Sequence, residues 1–60
     1  MSTVMNQNGQ EIVFEAAVNL MDDEIREKLH MELAPCTDQE FFTAYEKAHS
    51  QKYGEKFEVN

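Results

Sequence analysis

Sixty residues suffice for one small domain, residues 1–60, burying only about 60% of the surface that the unfolded chain exposes, too little for a deep enzyme cleft. Apolar residues are 42% of the chain and charged residues 28%, an ordinary globular balance that sets disorder aside. The formal net charge of −7 excludes direct binding to nucleic acid or to an anionic membrane, and makes a basic protein surface the natural partner.

The charge is unevenly spread. Residues 1–10 carry none, whereas between Glu11 and Leu33 seven acids stand against Arg26 and Lys28, leaving −5 in that segment. A single cysteine, Cys36, rules out an intramolecular disulfide, and the N-terminus lacks the pattern of a secretory signal, so the expected location is the cytoplasm. Apolar runs of two or three residues, such as Ile12 to Phe14, fall far short of the roughly 20 needed to span a bilayer.

The first element is a hairpin. Asn8-Gly9 lies between "TVMNQ" and "QEIVF" and suits a two-residue type I′ turn. Pairing Gln7 with Gln10 then sets Met5 opposite Ile12 and Thr3 opposite Phe14. After Phe14 the period changes, and Ala17, Val18 and Met21 recur at helical spacing, which predicts a short helix from Glu15 to about Met21. Asp22 caps a second helix with Asp23 and Glu24 in its first turn, and Met21, Ile25, Leu29 and Leu33 form its buried stripe. One bent helix from Glu15 to Leu33 is the alternative for this stretch.

Pro35 ends that helix, and Thr37 with Glu40 forms a capping box that opens a third, with Cys36 and Phe41 placed as a hydrophobic staple. Phe41, Tyr45, Ala48 and Lys52 mark one face of the third helix, widened by Phe42 and His49, and Gly54 closes it. Phe57 and Val59 alternate with charged residues and allow a third strand beside the hairpin. The fold class is therefore α+β, an N-terminal β-hairpin followed by two or three short helices, with an all-α three-helix bundle as the alternative. The expected core is Met5, Ile12, Phe14, Val18, Met21, Ile25, Leu29, Leu33, Phe41 and Tyr45.

No catalytic, metal or cofactor pattern appears. His30, Cys36 and His49 lack the paired spacing of a zinc site, and the two histidines read as half-buried, hydrogen-bonded side chains. "DDE" at 22–24 lacks the alternating ligands and glycine of a calcium loop, and carboxylates on a helix surface have no pocket in which to work as acid and base. The expectation is a non-enzyme without cofactor or metal. What remains is the acidic surface of Asp22, Asp23, Glu24, Glu27 and Glu32, where Asp23 and Glu27 stand one turn apart, about 5–6 Å between Cβ atoms, a spacing on the scale of successive phosphates in a nucleic-acid strand. Glu24 with Lys28 and Asp22 with Arg26 have the order of stabilising intrahelical pairs, which would neutralise part of that face.

"NLMDDEIREKLHMELAPCTDQEFFTAYEKAHSQKYGEKFEV", with the preceding "NGQEIVFEAA", resembles a group of small acidic proteins of bacterial genomes, phages and integrative mobile elements. The likeness spans nearly the whole chain. Its most specific pieces are Met21 to Glu27, Leu33 to Thr37 and Gln39 to Phe41. The resemblance brings no activity and no functional residue with it, but its setting implies inhibition of a nucleic-acid-processing host enzyme, of the antirestriction or anti-CRISPR type. The expected function is a small binding protein that presents an acidic helix to a basic partner, with homodimer formation as a further expectation. The alternative is an accessory protein docking through its apolar helix face or through exposed aromatics such as Phe42, its acidity serving solubility.

Overall fold

The computed structural model describes residues 2–59. Strands β1 (Thr3–Met5) and β2 (Glu11–Val13) form an antiparallel hairpin with Thr3 opposite Val13, Val4 opposite Ile12 and Met5 opposite Glu11. The hairpin is present, but in a register one residue away from the expected one. The Asn6 N–H donates to the Gln10 carbonyl at 2.9 Å and the Gly9 N–H to the Asn6 carbonyl at 3.1 Å, so three residues and not two cross the turn. Gly9 takes a φ of 80°, the left-handed conformation this longer loop requires, and the Asn6 side chain accepts from the amides of Asn8 and Gln10 at 2.9 and 2.8 Å. A one-residue slip exchanges the faces of a strand. Val4 is consequently buried and Met5, expected in the core, is 49% exposed.

Helices α1 (Phe14–Leu20), α2 (Asp23–Leu33) and α3 (Asp38–Tyr53) follow. This rules out both the all-α bundle and the single bent helix, because Met21 and Asp22 are extended, with ψ of 146° and 125°. Asp22 caps α2 by accepting from the amides of Glu24 and Ile25 at 2.9 and 3.2 Å. The Thr37 capping box has both its bonds, each at 3.1 Å, and Gly54 closes α3 with a φ of 73°.

α3 is the central element. Phe42 and Tyr45 are fully buried on it, so Phe42 is a core residue and offers no docking surface. Phe41 on the same helix meets Phe14 edge to face, ring centroids 6.2 Å apart. Ala17 from α1, Met21 from the turn after it, and Ile25 and Leu29 from α2 close the core, while Leu33 is exposed and Phe14 and Val18 only partly covered. The C-terminal strand is not formed. The sheet among the described residues is two-stranded, and Phe57 is instead buried against the rings of Tyr45 and His49, at 4.7 and 5.2 Å. Two α3 side chains hold the hairpin: Gln39 accepts from the Met5 N–H at 2.7 Å and donates to its carbonyl at 3.0 Å, while Glu46 accepts from the Gln7 N–H at 3.1 Å.

Candidate functional site

The acids of α2 separate into two groups with different duties. Asp22 belongs to the fold. One carboxylate oxygen caps α2, and the other accepts from Lys52 at 3.3 Å and from the Tyr53 hydroxyl, while the Asp22 N–H donates to the Tyr45 hydroxyl at 2.7 Å. The Tyr53 hydrogen bond, the helix amides and Lys52 together hold its carboxyl well below the ordinary 3.8, at about 2. Asp22 thus joins the start of α2 to the end of α3 and has little left to offer a partner. Lys52 and Tyr53 could not be assigned to it from the sequence, since they lie 30 and 31 residues away.

Asp23 and Glu24 are different, with side chains 85% and 87% exposed. The anticipated pairs Asp22–Arg26 and Glu24–Lys28 do not form. Arg26 turns back to Asp23 at 3.0 Å, and Lys52 from α3 reaches Glu24 at 3.6 Å. Glu27 and Glu32 are exposed and make no ion pair among the described residues. At about 100° per residue, Asp23, Glu24 and Glu27 fall within one arc of about 100° on α2 with Glu24 at its edge toward α3, and Glu32 lies further round on that side, where both acids line a gap with Lys47, Gln51 and Lys52. The five expected site residues are therefore not one surface. Three make an outward ridge, one flanks it and one is structural.

Beside the ridge lies a feature with no periodic signature in the sequence. α1, α2 and the start of α3 enclose an open groove of about 690 Å³ lined by Phe14, Val18, Met31 and Phe41, with Cys36 exposed at its edge. Cys36 therefore does not form the covered staple expected of it. His30, expected half-buried, is exposed on the same groove; His49 is half-buried as expected, its Nδ1 3.3 Å from the Tyr45 hydroxyl. The Tyr45 hydroxyl accepts from the Asp22 N–H and is hydrogen-bonded to His49, and that histidine is engaged in packing. No group of three or more His, Cys, Asp or Glu side chains among the described residues is arranged to hold a metal ion. No helix among the described residues is long and apolar enough to cross a membrane.

A hairpin and three helices around a small core, with an outward acidic ridge and an open apolar groove, define a small acidic binding protein. Residues 5–57 match the family described as Anti-CRISPR protein AcrIC5, and the chain belongs to that family. It is accordingly a small phage or mobile-element protein that inhibits a nucleic-acid-processing system of the host, which supplies the activity that the resemblance to small acidic proteins left open. No individually curated protein matches the chain at a significant level.

Proposed function

We propose that the chain binds a Cas protein complex in the host cytoplasm without catalysing a reaction, and that the ridge of Asp23, Glu24 and Glu27, flanked by Glu32, engages a basic surface that otherwise receives nucleic acid. The observation that carries this reading is the exposure of these acids on a segment of net charge −5. Asp22 contributes by fixing where the ridge begins. Acidic residues one turn apart, about 5–6 Å between Cβ atoms, present charge at a spacing on the scale of successive phosphates. An outward ridge bound by complementary charge has a salt-sensitive affinity.

The test is phage plating on a CRISPR-immune host together with binding to the purified effector complex at low and high salt. The wild-type chain restores plating and binds more weakly as salt rises. Asp23→Lys with Glu27→Lys abolishes both effects while leaving the fold intact by circular dichroism. Capture that is indifferent to salt and survives the double substitution would eliminate the ridge as the contact. The homodimer belongs to the same set of measurements: self-association would supply burial that a core this small lacks, and sedimentation across a concentration series reads it against the monomer mass of 7.0 kDa. A mass that doubles with concentration would establish the dimer.

A further inference from the structure

The groove beside α2 is apolar on its floor and acidic at its lip. Met31 is 84% exposed on its wall, a large apolar side chain from which the fold gains almost no burial. The lip carries Glu27 from α2 and Asp38 from the first turn of α3, and neither makes an ion pair among the described residues, although Asp38 accepts from the Ser2 hydroxyl. Arg26, the one Lys or Arg among the described lining residues, is already paired with Asp23 at 3.0 Å. An apolar floor with a net acidic rim is complementary to an apolar side chain flanked by basic ones.

We propose that this groove receives a basic amphipathic segment of the Cas partner, an apolar side chain seated against Phe14, Val18 and Met31 and a neighbouring lysine or arginine reaching Glu27 or Asp38. The proposal rests on the protein-binding reading above and adds to it an apolar anchor that charge alone does not supply. Thioether side chains suit this role because their three rotatable bonds let them conform to an irregular partner surface. A second copy of the chain is a poor occupant, since it would bring a further −7 against the same acidic lip. Glu27 belongs to both surfaces, so a partner that meets the ridge meets the groove next to it.

The probe is a crRNA-loaded Cas effector complex that the wild-type chain inhibits. Cys36 is the chain's one cysteine and stands exposed at the groove, so its alkylation by iodoacetamide reports whether the groove is covered. Adding the complex is expected to slow that alkylation about tenfold or more. Met31→Gln keeps charge and helix propensity, and is expected to weaken binding about tenfold at low and high salt alike. Alkylation at the free rate within the complex, with Met31→Gln binding to within about twofold of wild type, overturns the groove while leaving the ridge to its own charge-reversal test. Self-association that Met31→Gln abolishes also overturns it, by assigning the groove to a second copy. Failure of the wild-type chain to bind any effector complex overturns both readings at once, an outcome distinct from selective loss of the groove.

Discussion

Asp22 shows how one carboxylate can look like surface and act as structure. Its position before an acidic run reads as the start of a charged face, and only the partners 30 residues away make it a joint between helices. That joint should be visible in acid. A carboxyl held at about 2 against an ordinary 3.8 contributes stability that is complete above the ordinary value and lost as pH falls through the folded one. Asp22→Asn, which retains a capping oxygen, should therefore flatten the decline in stability between about pH 4 and pH 2, as read by urea midpoints along a pH series. Glu46 has the opposite sign. It is 3% exposed and burial pushes its carboxyl up, so the folded state resists its ionisation and loses stability as pH rises through the carboxylate range. Glu46→Gln can still accept from the Gln7 amide and should raise the urea midpoint at neutral pH; a lowered midpoint would mean that the charge itself strengthens the bond to the hairpin.

Among the elements, those governed by neighbours in sequence were the ones legible in it. The caps of α2 and α3 follow from Asp22, Thr37 and Glu40, because a side chain and the amide it satisfies lie within three residues of each other. Thr37→Ala should cost about 1 kcal/mol in urea unfolding, the usual scale for a lost cap, and a change within error would show that the first turn of α3 is held from elsewhere. The hairpin was legible as a hairpin but not in register. Asn-Gly serves a two-residue or a three-residue loop equally well, and the choice between them is tied to how the ribbon docks. Gln39 and Glu46 grip the backbone of Met5 and Gln7 across 34 and 39 residues, a distance over which local spacing carries no information. The same holds for the tail, where Phe57 alternates like a strand residue but gains more from the aromatic cluster on α3 than from pairing at a sheet edge.

At the scale of the molecule, α3 is covered on several sides, and this is why the adjacent Phe41 and Phe42 are both buried when a single helical stripe would have hidden only one. Most of the core was readable from apolar spacing, whereas the groove was not, since it is a gap left between three elements and no one of them encodes it. A chain of this length holds only about 3–5 kcal/mol of stability, so nearly every substitution in its interior threatens the fold. The outward side of α2 is exempt. Asp23, Glu24, Glu27 and Met31 are exposed and bury little of themselves, so exchanging them costs the fold little. An inhibitor must keep pace with a target that mutates to escape it, and in this protein the outward side of one helix offers the freedom to do so. Charge can be moved along that ridge one residue at a time without approaching the threshold at which the chain unfolds, and the cap at Asp22 marks where that freedom stops.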